Sequence, residues 1–544
     1  MRKTVQLLVS ILFLFGLLSC RKDFEELNKN PNGFTTASDG SLFNAVISTL
    51  RSGWNEQLYV NNSVLLKETQ LAALPQVRWS NYSIGTEEIW SNYYTALPNI
   101  RELEARWGGS DSASGEITNM KAMLKTVLAY KTFKMTDLFG DIPFFEAGYG
   151  YIDAQQLRPS FDSQESIYRQ LLADLEWVDD HIDPTAVNDE PFRTFKTFDN
   201  LFHGDMNKWR KFANSIRLRQ AMRVSNKQPF PDFAKAALQD ILVNNRPCFG
   251  VDQFGFLVNQ PLTESALMFP YQLGYRNEGK GWSYDQSKDV RLGSTFWEQV
   301  SSVDDSTGAA IFDPRAYYFY ETNVDNHWRA FPNAPSTAMS PDGGDPYNYQ
   351  RDVAYSIKGA GCRYSPVNYY AARDMDYVPD VLISGSEVLF LRAEAFLRSA
   401  ELGLTLDPNF ATQEFLNALQ FSLTFWETIM TNSKLPIGTP FSANISVPSN
   451  VNFISLQNNV GFFSATPARQ LEIVYAQSWI DFFLQPQQAF ALSRRTGLTP
   501  HQGAASNVYR FTIPPTEVSY NSANWSGAYS NGSDALGSRM WWMQ

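Results

Sequence analysis

The stretch QVRWSNYS brings Arg78, Trp79, Asn81 and Tyr82 within five positions of one another. Further on, YQLGYRNEGKGWSYD carries Tyr275, Trp282 and Tyr284, and NVDNHWRAFPNAPS carries Trp328. Indole and phenol rings offer flat apolar faces with a polar edge. Arginine and asparagine beside them supply hydrogen bonds. A neutral sugar asks for that combination, because its C–H face packs on a ring and its hydroxyls need polar partners. Each of these rings also admits a plainer role in core or loop packing. Aromatic residues make up 14% of the chain, and many sit in Gly-, Pro- and Asn-rich stretches where a core role explains them less well.

Other chemistries find little support. GYRNEGKG, from Gly274 to Gly281, has the glycine and lysine spacing of a phosphate loop. Gly281 stands where that loop needs a hydroxyl for magnesium, and no strand–helix pattern flanks it. Asn28, Asn30, Asn32, Gly33 and Asp39 fall at calcium-loop spacing. The early positions are amides, Pro31 intrudes, and such a loop wants several carboxylates. The four histidines, His181, His203, His327 and His501, are scattered without zinc spacing. There is no G-x-S-x-G elbow. Carboxylates are plentiful, so paired-carboxylate glycoside hydrolysis stays open, although no pair is singled out. The formal charge of −11 disfavours nucleic acid, whose binding needs phosphate neutralisation. The local basic run Lys208, Arg210, Lys211, Arg217, Arg219 and Arg223 reads as helix-borne partners for carboxylates. No metal or cofactor is implied.

The elements that would position these rings are mostly helices. Val5 to Leu18 is apolar apart from Gln6 and Ser10 and follows Arg2 and Lys3, a leader too short to span a membrane. Leu17-Leu18-Ser19-Cys20 resembles a lipobox, which implies removal of residues 1–19 and acylation of Cys20. Residues 20–40 read as the acylated Cys and a polar tether. Phe43, Val46, Ile47, Leu50, Trp54 and Leu58 predict one helical face, and Ile89, Tyr93, Leu97, Ile100 and Leu103 another, kinked at Pro98. A helix over 117–139 should stop at Gly140. Asp162 and Glu165 stand at cap positions of the helix that follows, Asp205 at the next, and Ser384 with Glu387 forms a capping box. Small Ala393 and Ala395 should let a neighbouring helix approach closely. Stripes at Leu416–Met430 and Leu471–Leu484 follow, and strand-like alternation is rare. From about 225 to 380 the texture turns irregular. The reading is a mainly α scaffold of helix pairs over 41–544, a single domain with a loop-rich central insertion. Cys248 and Cys362 could form a disulfide in an oxidising compartment; the sequence leaves that open.

Several segments, in order, resemble one family. They are DFEELNKNPN after the lipobox, LKTVLAYKTFKMTDLFGDIPFFEA, WRKFANSIRLRQAMRVS, SGSEVLFLRAEAFLR, SWIDFFLQPQQAFALSRRTGLTP and RFTIPPTEVSYNSANW. Together they resemble the SusD/RagB outer-membrane lipoproteins, specifically the SusD-like branch. QPQQAFALSRRTG departs from the more acidic-aromatic form of many members, with Tyr475, Trp479 and Phe482 partly filling that role. The resemblance implies tetratricopeptide-like helix pairs and a non-enzymatic receptor facing the cell exterior. It also implies a SusC-like TonB-dependent transporter as partner, over which the protein sits as a lid. The ligand would be an oligosaccharide or, in some members, peptide. The matching segments are scaffold, so no ligand residue carries over with them. Two further readings stand beside this one: a surface glycoside hydrolase, and a structural protein that closes a barrel with little affinity of its own.

Overall fold

The computed structural model describes residues 37–74, 81–108, 114–152, 154–269, 290–303, 305–333, 362–368, 378–432 and 446–544. The leader, Cys20 and most of the tether lie outside them, as do Arg78, Trp79, Tyr275, Trp282 and Tyr284.

Helix α1, Asp39–Ser48, is capped by Ser38, whose hydroxyl accepts from Ser41 N at 3.2 Å. The stripe from Phe43 to Leu58 was expected to lie on one helix, and it does not. The chain breaks around Ser52 and Gly53, and Glu56–Leu65 then winds as a π-helix. That break re-phases the stripe, so Leu58 goes in while Trp54 is left 37% exposed. Helix α2, Tyr82–Trp107, runs unbroken through Pro98. Helix α3, Gly115–Phe139, ends where expected, at Gly140, whose φ of +84° suits a residue without a Cβ. Helix α4, Gln164–His181, is capped by Ser163 rather than Asp162. The Asp162 carboxylate is drawn instead to the N–H groups of Phe144 and Phe145, at 2.8 and 2.9 Å. Asp205 caps α5, Met206–Arg223, accepting from Asn207 N and Lys208 N.

The basic run on α5 is spent on internal pairing, as read from the sequence. Lys211 meets Glu264 at 2.7 Å, Arg217 meets Asp240 at 2.6 Å, and Arg223 meets Asp137 at 2.9 Å. Arg219 reaches Glu387, on the far side of the insertion, at 2.5 Å.

A short helix α6, Asp232–Leu238, still packs on α5. The insertion then opens with strand β1, Ser265–Met268, and closes with β2, Asp380–Ser384. The two pair antiparallel, Ser265 opposite Ser384 and Met268 opposite Asp380. Both strands are almost wholly buried, which removes the polar alternation that would have announced them. Between them lie α7, Ser294–Val300, and α8, Arg315–Phe319. After β2 come α9, Gly385–Leu397; α10, Ala411–Asn432; α11, Phe453–Val460; α12, Pro467–Asp481; and α13, Pro486–Thr496.

Consecutive helices pack side by side from α1 to α6, α5 meets α9 across the insertion, and α9 is flanked by α10 and α12. Ala393 and Ala395 are fully buried on α9, as their size predicts. Cys248 and Cys362 are both buried and are not bonded to each other, so the disulfide left open above is not formed.

Candidate ligand-binding face

The described residues just before segment 75–80 and just after segment 270–289 meet in one place. Ala73 and Arg291 exchange backbone hydrogen bonds, each at 2.9 Å. Leu292 N donates to Ser365 O at 2.9 Å, Phe331 N to Leu292 O at 2.7 Å, and Glu321 N to Pro366 O at 3.0 Å. These isolated bridges tie together the residues before 75–80, those after 270–289 and those on both sides of 334–361. A small apolar cluster of Ala73, Phe331 and Tyr364 sits on the ladder, with the last two rings edge to face at 4.8 Å. The guanidinium of Arg329 lies 4.9 Å from the Tyr364 ring centre.

A neutral hydrogen-bond network holds this base to the scaffold. Gln70, at a left-handed φ of +55°, donates from Nε2 to Gln502 O at 2.8 Å and meets His501 Nε2 at 3.1 Å. Its Oε1 accepts from Thr295 Oγ1 at 2.5 Å and from Gln502 N at 2.8 Å. Ser294 Oγ donates to Gln502 Oε1 at 2.6 Å. Beneath, Trp479 Nε1 donates to Thr69 O and Tyr320 OH to Leu71 O, both at 2.8 Å. Burial pushes the His501 pKa down, against the pull of Glu68. The ladder segments at 69–71, 294–295 and 320 are thus anchored to the scaffold, which is how a rigid base supports variable loops. None of these amides and hydroxyls forms a periodic pattern, so sequence reading passes over them.

Of the sequence-predicted residues within the described chain, Asn81 and Tyr82 open α2. Tyr82 stacks on Phe511, with ring centres 6.0 Å apart and planes at 26°. Trp328 sits differently from the open platform expected of it. It is 6% exposed, stacked on Trp297 at 5.7 Å and abutted by Tyr317 at 5.3 Å. Its loop lies over a buried shelf of rings, and composition cannot show which way an aromatic faces. Among the described residues no cluster of His, Cys, Asp or Glu has the makings of a metal site.

Gly293 sets how closely the ladder packs. A Cβ there would fall 2.4 Å from Asn333 Oδ1 and 3.2 Å from Ala73 N. Gly293→Ala is therefore expected to force the 73 and 333 segments apart at a cost of about 1–3 kcal/mol. A urea-denaturation midpoint that stays at the wild-type value would refute this.

A family model described as starch-binding and associating with the outer membrane matches residues 31–520. The chain belongs to the SusD-like family. No curated protein matches it. Solved SusD-like structures do. One named as a chitin-binding protein has a TM-score of 0.65 at 18% identity, covering 93% of this chain and 100% of that one. A SusD homologue from Bacteroides fragilis gives 0.65 at 17%, with the same coverages of 93% and 100%. A chitin-binding SusD homologue from Flavobacterium johnsoniae gives 0.61 at 20%, covering 93% and 98%. At such identities the likeness is one of fold. It bears out the SusD-like, mainly α scaffold of tetratricopeptide-like helix pairs.

Proposed function

We propose that this SusD-like protein is a lipid-anchored cell-surface receptor that binds oligosaccharides and delivers them to a SusC-like TonB-dependent transporter, acting as its lid and carrying out no chemistry itself. The observation that supports this most is the anchored ladder, because it joins one described flank of the segment bearing Trp79 to one described flank of the segment bearing Tyr275, Trp282 and Tyr284. A starch-binding family description and solved relatives named for chitin binding favour a glycan over a peptide. The leader ending at Cys20 and the family's outer-membrane association support the anchor. Among the described residues no helix is long and apolar enough to cross a membrane. The platform set is Arg78, Trp79, Asn81, Tyr82, Tyr275, Trp282 and Tyr284.

Affinity electrophoresis of the mature protein against soluble starch, chitin oligosaccharides and other polysaccharides tests this. Retardation by at least one glycan is expected, with no new reducing ends. Trp79→Ala and Trp282→Ala should each weaken binding about tenfold, or about 1.4 kcal/mol. Binding of a protein hydrolysate and of no glycan would move the assignment to peptide uptake. Release of reducing ends by a clean preparation would make the protein a hydrolase. A pull-down from outer membranes without a barrel partner would remove the transporter from the proposal.

A further inference from the structure

A cavity lies where α13 meets the C-terminal coil, on the far side of His501 and Glu68 from the ladder's Gln70. Its volume is about 400 Å³, within the range of small-molecule sites. Three guanidiniums line it: those of Arg494, Arg495 and Arg539. Arg495 is neutralised by Glu394, with Nη2 to Oε2 at 2.6 Å. The other two have no ion pair among the described residues. There, Arg494 donates to backbone carbonyls: Tyr509 O at 2.6 Å, Asp137 O at 3.0 Å and Phe490 O at 3.3 Å. Carbonyls satisfy its N–H groups but carry no charge to cancel its own. The Asp137 carboxylate is already taken by Arg223 at 2.9 Å. The Arg494 guanidinium is clamped 4.0 Å from the Phe490 ring centre and 5.0 Å from that of Trp542. Arg539 is exposed and rests on the Tyr509 ring at 5.3 Å, with no carboxylate partner among the described residues.

The donor surplus extends further. Trp542 is 1% exposed, and its indole N–H finds no acceptor among the described residues. Among the described residues the one carboxylate on the cavity wall is Glu68, which accepts from Ser506 Oγ and keeps its negative charge. Burial, helped by the neighbouring Arg223 charge, pushes the Arg494 pKa down to about 9 against the pull of Asp137. A half-buried guanidinium without an ion pair, beside an unpaired donor, calls for an acceptor bearing negative charge. That charge should be single. The last turn of α13 forms part of the wall, and a helix C-terminus opposes accumulated anion charge. The rings of Phe490, Trp542 and Tyr509 ask for a flat or apolar body behind it.

We propose that this cavity is a second ligand site, which takes the carboxylate of a small acidic ligand between Arg494 and Arg539 with its body against the surrounding rings. A uronic acid and the C-terminus of a short peptide share that chemistry. Titration calorimetry of the mature protein with D-galacturonate and with N-acetylphenylalanine separates them, with glucose and N-acetylphenylalaninamide as uncharged controls. One acid should bind saturably, its control should not, and added salt should weaken binding. Arg494 holds backbone in place, so the informative variant is the exposed Arg539→Gln. It should weaken the acid tenfold or more, as loss of a charge-assisted hydrogen bond does, while leaving retardation by neutral polysaccharides unchanged. No binding of either acid at about 10 mM, equal binding by Arg539→Gln, or loss of polysaccharide retardation in that variant would each overturn the proposal.

Discussion

Glu387→Leu should destabilise the protein by about 3–5 kcal/mol, read as a large fall in the urea midpoint. Its carboxylate accepts from Arg219 Nε and Nη2, each at 2.5 Å, and the two side chains are 2% and 3% exposed. Arg219 Nη2 also donates to Leu382 O at 2.8 Å, on β2. This pair therefore joins α5 to the strand and helix that resume the scaffold after the insertion. Two charges taken from water are tolerable together; one alone is not. The double variant Arg219→Met/Glu387→Leu removes both charges and should recover most of the loss, because a packed apolar pair avoids the desolvation penalty. If the double variant loses as much as the two single variants summed, the pair is not coupled and this account of the α5–α9 junction is wrong.

Glu387 also shows where sequence reading reaches and where it stops. Ser384 does cap α9, accepting from Glu387 N at 3.1 Å, as the capping-box pattern predicts. The reciprocal half fails because a buried guanidinium outbids one backbone N–H for the carboxylate. Local rules did well where nothing distant competed: Asp205 caps α5, and Gly140 ends α3. They did less well where tertiary partners intervened. Asp162 left its cap for Phe144 and Phe145, and the break at Ser52 and Gly53 interrupted a stripe that looked continuous.

The two sites were legible to different degrees. Aromatic-rich segments announced themselves by composition, yet the bridges that gather them use backbone groups, which no residue type encodes. Trp328 looked like its neighbours in the sequence and lies under Trp297 and Tyr317. The C-terminal cavity was invisible for a sharper reason. Arg494 and Arg495 are adjacent and identical in type, and only the fold gives Glu394 to one and carbonyls to the other.

Glu394 yields the second large effect, and its sign depends on pH. The carboxylate accepts from Arg398 Nη1 at 2.7 Å, from Arg495 Nη2 at 2.6 Å and from Tyr475 OH at 3.0 Å, at 2% side-chain exposure. Burial raises its pKa, but the Arg495 and Arg398 guanidiniums outweigh that and hold it below the usual carboxylate range. A depressed folded-state pKa contributes stability that is complete above the unfolded value, about 4.3. That stability is lost as pH falls from there through the folded value. Buried Asp481 and Asp380 have raised pKa values and work in the opposite sense, so the wild-type profile alone cannot isolate Glu394. Glu394→Gln can. At neutral pH Arg398 keeps Glu401 at 2.6 Å, but Arg495 loses its only carboxylate beside the already uncompensated Arg494. A loss of about 3–5 kcal/mol is expected there. The gap between wild type and variant should then narrow steadily as the pH is lowered below about 4, because acid neutralises in the wild type the charge the variant lacks. A gap that stays constant from neutral pH into that range would mean that Glu394 is not the electrostatic hub of this end of the molecule.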